Sequence, residues 1–256
     1  MSVFSRPPWR GFVPRLLIVA AVVFLPNTTA AQQFAGDNQW VAPHGVGTFV
    51  VTAGEEFTQL YAIAALLPEW EFNAQFNFYY DDPRVGTDSY TGVNLYAKHR
   101  LSQNEAETGG YSVLFGTGLY PEHLERGTVA GAFQSWWLST TATYPFANDR
   151  VMLDLVPGVA VNLDEQQTGE TAWGFTYASR LAMYGLVPQS ALVGEVFGTA
   201  GEASAEPAYR AGVRWESPHW VVAGTYSALF DGSRGIGFEI GILYFTDPIF
   251  CVGGCG

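Results

Sequence analysis

Lysine is nearly missing from this chain of 256 residues; Lys98 is the only one. Twelve Lys+Arg stand against 24 Asp+Glu, a formal net charge of −12. A chain so poor in positive charge lacks the basic surface that nucleic acid requires. Cysteine is scarce too. Cys251 and Cys255 both lie in the C-terminal stretch CVGGCG, so no disulfide framework holds the body of the fold. Their spacing leaves three states open: a small disulfide loop across Gly253-Gly254 in an oxidising compartment, two free thiols, or a metal site with ligands from elsewhere. The four histidines (His44, His99, His123, His219) accompany no GxSxG, HExxH or P-loop pattern, and no nucleophile–base arrangement is visible. No catalytic residue, cofactor or metal site is therefore expected. Long apolar runs are absent as well. Nothing approaches the roughly 20 residues of a spanning helix, and no apolar repeat at helical spacing appears beyond the N-terminus.

The N-terminus reads as an export signal. Arg6, Arg10 and Arg15 precede the apolar stretch Leu16 to Leu25, and Thr29 and Ala31 sit at the −3 and −1 positions of a cut before Gln32. This charge, length and small-residue exit fit a cleaved signal peptide over residues 1–31. Its removal takes three of the twelve bases and no acid, which raises the net charge of the remainder to −15.

What the chain does have is alternation. Residues 69–80 read EWEFNAQFNFYY, with Trp70, Phe72, Ala74, Phe76, Phe78 and Tyr80 on one parity and Glu69, Glu71, Asn73, Gln75 and Asn77 on the other. Period two with this little error is a strand with one apolar and one polar face. Twelve such candidates run at roughly 45–52, 58–67, 69–80, 90–101, 110–120, 132–144, 150–162, 171–184, 189–200, 207–216, 219–230 and 234–246. The first two and the sixth alternate most weakly. Connections also alternate: short turns, often with Pro, and longer polar loops, with Ser102 to Gly109 breaking the rule. The loops on the longer side hold 13 acids against Arg84, Arg126 and Arg234. Short turns at one end, longer loops at the other and aromatic outer faces are the habit of a transmembrane barrel. The expected fold is all-β: one closed antiparallel transmembrane barrel over 45–247, after a periplasmic N-terminal segment at 32–44, with a Cys-bearing tail at 248–256.

The polar parity carries the charge. It holds Glu71, Asn73, Lys98, Arg100, Asp154, Arg180, Glu195, Arg210, Arg214 and Glu239, and no strand needs an ionised group on its outer face. Folding adjacent strands about their loops makes this less circular. Glu71 falls beside Lys98 or Arg100, Asp154 opposite Arg180, and Glu195 near Arg210. Cross-strand pairs of opposite charge contribute about 0.2–1 kcal/mol each in ordinary sheets.

With its export signal, its alternating strands and the closing strand Phe238-Glu-Ile-Gly-Ile-Leu-Tyr-Phe245, the chain resembles bacterial outer-membrane β-barrels. It is more loosely similar to transporter-like barrels associated with phenol-degradation pathways. It departs from them in continuing past Phe245 and Phe250 into CVGGCG, where such barrels usually end on an aromatic. The resemblance implies an outer-membrane channel or transporter for a small solute, favouring hydrophobic or aromatic compounds. The ten inward residues above would line the path, and the partners would be outer-membrane lipid and lipopolysaccharide. Two alternatives stand beside it: a structural barrel with a plugged lumen and acidic loops that contact lipopolysaccharide or a partner, and a lipid-acting hydrolase.

Overall fold

In a computed structural model of the chain, residues 38–80, 89–118, 133–165, 169–202, 205–232 and 235–249 are described. They form twelve strands and no helix. In order these are β1 (Gly47–Gly54), β2 (Phe57–Leu67), β3 (Trp70–Tyr79), β4 (Tyr90–Gln103), β5 (Gly110–Gly118), β6 (Ser135–Phe146), β7 (Val151–Glu165), β8 (Glu170–Tyr184), β9 (Ser190–Gly201), β10 (Ala205–Glu216), β11 (Trp220–Leu229) and β12 (Gly237–Phe245). Each pairs antiparallel with its neighbours in sequence, and β1 pairs with β12 to close the barrel. Closure leaves no free edge, which is the condition for crossing lipid with strands. The signal-like stretch, the loop containing His123, and Cys251 and Cys255 lie outside the described residues.

Alternation decides which way each strand faces. In β3, Glu71, Asn73, Gln75 and Asn77 are buried while Phe72, Phe76 and Phe78 are exposed. The same holds in β12, where Glu239 is buried between exposed Phe238 and Ile240. Among the described residues, ionised side chains on the outside are confined to strand ends, as at Glu170 and Glu206. Between them lies an apolar band including Val51, Leu95, Phe115, Leu138, Val159, Leu181, Val213 and Ile240. Aromatic groups mark both margins. Trp220 packs on Tyr244 and Tyr111 on Tyr144 at the short-turn end, and Phe133 packs on Trp136 and Tyr209 on Phe230 at the loop end. An apolar belt between two aromatic girdles is the pattern of a lipid-facing barrel wall.

Two local features shape the interior. Gly116 stands between Tyr96 and Trp137 in register, and a Cβ there would lie 2.4 Å from Tyr96 Cβ and 2.7 Å from Trp137 Cζ2. The absent side chain lets those rings meet over β5, 5.1 Å between centroids. β1 starts at Gly47 rather than near 45, because Pro43 to Val46 form a turn. Val46 N donates to Pro43 O at 3.0 Å, with Gly45 at φ 88°. A positive φ at the third turn position is what glycine permits at little cost. This turn folds the preceding residues back into the barrel. The irregular connection after β4 is also explained: Asn104 Oδ1 accepts from Thr108 N and Gly109 N at 2.9 and 3.1 Å.

Candidate functional site: the lumen and its N-terminal segment

Half of the lumen wall carries a row of alternating charge. Asp154 on β7 is in register with Arg180 on β8, Arg180 with Glu195 on β9, and Glu195 with Arg210 on β10. Arg180 Nε and Nη2 donate to Asp154 Oδ2 at 2.8 and 2.7 Å. Arg210 Nη1 lies 2.9 Å from Glu195 Oε1, and its Nε lies 3.0 Å from Glu239 Oε2 on β12. Thr143 and Thr225 donate to the terminal acids Asp154 and Glu239 at 2.6 and 3.2 Å. The sequence is minus, plus, minus, plus, minus, and all five groups are buried. Buried charges at this density are tolerated only when paired and hydrogen-bonded. Asp154 lies near the short-turn end of β7 and Glu239 near the loop end of β12, so the row climbs the wall along the hydrogen-bonding direction of tilted strands.

The facing wall of β2 to β4 is polar but mostly uncharged. Asn94 donates to Gln75 Oε1 at 3.1 Å, Gln75 to Asn77 Oδ1 at 3.1 Å, and Gln59 to Asn77 Oδ1 at 3.0 Å. Tyr61 Oη donates to Asn73 Oδ1 at 3.1 Å. Its charged pair, Glu71 and Lys98, is in register near the short-turn end.

The N-terminal segment occupies the space between the walls. Residues 32–44 are described from Asn38 onward, and Asn38, Gln39, Val41 and Ala42 are buried inside the short-turn mouth. Ala42 N donates to Glu71 Oε1 at 2.6 Å, and Lys98 Nζ donates to Trp40 O at 2.6 Å. On the opposite side Gln39 N donates to Thr143 Oγ1 at 3.0 Å, the same hydroxyl that donates to Asp154. The segment is thus tied to both walls, and through Thr143 to the charged row. Ala42 and Val46 pack into the apolar cluster of Val50, Ile63, Leu243 and Phe245, and Trp40 meets Phe245 edge-on at 5.6 Å. A backbone buried here needs partners, and wall side chains supply several of them.

Of the ten inward residues read from the sequence, nine are buried on the lumen side: Glu71, Asn73, Lys98, Asp154, Arg180, Glu195, Arg210, Arg214 and Glu239. Arg100 differs. It is half-buried at the rim, where a register irregularity follows it in β4, and it faces Glu69 in the turn at 3.7 Å. Glu71 therefore sits beside Lys98 and not beside Arg100. Arg214 bonds Tyr184 Oη and lies 2.5 Å from Glu216 Oε1. The three described histidines bond backbone carbonyls at the short-turn rim: His44 with Leu66 O, His99 with Glu69 O and His219 with Phe245 O. His99 also stacks on Trp70 at 4.3 Å.

No family model and no curated protein matches this chain. Among solved structures, an outer membrane channel from Pseudomonas putida F1 aligns with 80% of this chain and 96% of its own at 15% identity, TM-score 0.48. A bacterial polysaccharide outer membrane secretin aligns with 80% of this chain and 99% of its own at 7% identity, TM-score 0.33. The described residues form a closed twelve-stranded β-barrel, and at such identities and scores neither neighbour bears on where the chain sits or on what it does.

Proposed function

We propose that this protein sits in a bacterial outer membrane, its short turns and both chain ends in the periplasm, and passes a small solute when its N-terminal segment leaves the mouth. A wall apolar outside and polar inside, with aromatic margins, supports the location. The passage reading is carried by one observation: the segment in the mouth is separate from the barrel wall. It joins β2 through two backbone bonds, Gly45 N to Ala65 O and Ala65 N to Val46 O. Beyond Gly45 its backbone hangs from side chains of Glu71, Lys98 and Thr143, and its own His44 and Gln39 side chains reach Leu66 O and Glu107 O. Each such bond has a modest net strength, about 0.5–3 kcal/mol with the charged ones highest. A wall strand, bonded along both edges, has no comparable freedom. Twelve strands enclose a cross-section between that of filled small barrels and open porins. Once the segment leaves, Glu71, Lys98, Asp154 and Arg180 line the mouth and set its charge preference. The phenol-pathway resemblance favours a small hydrophobic or aromatic solute. No covalent step is involved.

A second reading, a structural barrel with a filled lumen, is favoured by how fully the charged row pairs with itself. Single-channel recording separates the two. The full chain should conduct in brief, infrequent openings, and a chain lacking residues 38–42 should show a sustained open level. Silence from that variant, once heat-dependent gel mobility shows it folded, would sink the passage reading and leave the structural one.

A further inference from the structure

Three strands reach the N-terminal segment with wall side chains, and each side chain takes a main-chain atom. Glu71 on β3 accepts from Ala42 N at 2.6 Å, and Lys98 on β4 donates to Trp40 O at 2.6 Å. Thr143 on β6 accepts from Gln39 N at 3.0 Å. Nearer the first strand, Gly45 N donates to Ala65 O, while Gly45 O and Val46 O accept from Ile249 N and Ala65 N. Glu71 and Lys98 are register partners, so a carboxylate acceptor and an ammonium donor stand next to each other inside the mouth. An extended chain presents the C=O of one residue and the N–H of the residue two places on to the same edge. Trp40 O and Ala42 N stand in that relation. The pair therefore grips one edge of a peptide backbone without reading a side chain.

Side chains of the segment are selected at few places. Trp40 lies edge-on to Phe245 at 5.6 Å, and Ala42 is buried in the cluster of Val50, Ile63 and Leu243. Asn38 and Gln39 instead border a cavity of about 380 Å³ between the segment and the wall of β6 to β8, where other side chains have room. Main-chain bonds for affinity, with pockets for a few side chains, are how proteins capture extended peptides. We propose that the short-turn mouth is a peptide-binding site. Glu71 and Lys98 form a main-chain clamp, and the barrel's own segment occupies it in place of the extended end of another polypeptide. That polypeptide carries an aromatic residue two places before a small apolar one. This inference rests on the reading that the segment leaves the mouth. Once it has left, the clamp offers the same acceptor and donor to an incoming chain. Until then the tethered segment competes at an effective concentration of roughly 1 mM.

The test uses a fluorescein-labelled peptide, Ser-Ser-Phe-Val-Ala-Pro-Ser-Gly-Val, which differs from residues 38–46 but keeps the aromatic and small positions. Its ester twin has oxygen in place of the alanine nitrogen, which deletes the N–H and little else. Binding is read by fluorescence anisotropy in lipid nanodiscs, with empty nanodiscs as the blank. Two variants vacate the clamp: the chain lacking residues 38–42, and the full chain with Ala42→Pro, whose own segment has lost the N–H that Glu71 accepts. The peptide should bind both. It should bind the unaltered chain at least about tenfold more weakly, because the clamp is occupied there. The ester should bind the variants at least about tenfold more weakly than the peptide, a factor that about 1.4 kcal/mol confers and that a hydrogen bond to a charged group supplies. Equal binding of ester and peptide, equal binding to altered and unaltered chains, or no binding to variants shown folded by heat-dependent gel mobility would overturn the site. Peptide binding without current from the chain lacking residues 38–42 would count against the passage reading alone, and current without peptide binding against the clamp alone.

Discussion

The two walls of the lumen solve the same problem differently. On β7 to β12, polar groups face one another in sign, and five charges alternate so that each acid has a base within 3.0 Å. On β2 to β4 the polar groups are mainly amides bonded in a chain, and the one charged pair, Glu71 and Lys98, turns part of its bonding to the N-terminal segment. In the first wall every acid of the row pairs with a base of the same row. In the second, Glu71 and Lys98 turn to the N-terminal segment for partners. This contrast teaches that a barrel can hold its shape with one half of its lining and hold a removable segment with the other.

Substitution should separate the halves, and the largest effect is expected at Arg210, which serves both Glu195 and Glu239. Arg210→Met leaves two buried carboxylates without their base and should lower the unfolding free energy by about 3–5 kcal/mol, read by urea titration in lipid vesicles. Adding Glu195→Leu and Glu239→Leu should recover most of it. A loss under 1 kcal/mol from the single change would mean the row is not a coupled network. Next, Asp154→Arg combined with Arg180→Asp should be better than the sum of the singles by about 0.5–3 kcal/mol. Recovery stays partial because an acid at position 180 then faces Glu195 in register. Strict additivity would contradict the β7–β8 register. On the amide wall, Gln75→Ala removes the link between Asn94 and Asn77 and should cost about 1–3 kcal/mol. A loss as large as that of Arg210→Met would erase the distinction between the walls. The smallest effect belongs to the rim. Arg100→Ala breaks a 3.7 Å pair with Glu69 in which both side chains reach solvent, worth at most roughly 1 kcal/mol.

Much of the wall was legible in the sequence. Period two told which parity of β3 faces inward, and counting back from the loops placed Asp154 against Arg180 and Glu195 against Arg210, because a hairpin register follows from its turn. Arg100 shows where parity fails: near a strand end the alternation loosens and the side chain turns to the rim. Other features rest on contacts that no strand pattern encodes. The bond from Arg210 to Glu239 skips β11, and that of Arg214 to Tyr184 spans β9. The segment at 38–46 is too short and aperiodic to mark itself as lining. Its signal, visible only in hindsight, is Pro43-His-Gly45, a turn placed just before the first strand. Gln39 had no signal at all, since its partners come from β6 and the β4–β5 turn.

The charge pairs in register have a bearing on how such a barrel gets into a membrane. Glu71 and Lys98 belong to one hairpin, Asp154 and Arg180 to another, Glu195 and Arg210 to a third. Each is joined by a connection at the loop end, the end that the proposed orientation carries across the bilayer during assembly. A hairpin holding both partners arrives already neutral between its two strands. It can be threaded into lipid ahead of its neighbours without exposing a lone ion to hydrocarbon, where an unpaired charge costs roughly 2–4 kcal/mol at the midplane. Order of insertion is thereby freed from order of pairing. Within the charged row, Glu239 on the last strand depends on a base from an earlier hairpin, and it finds one when β11 pairs with β10 and brings β12 within reach of Arg210.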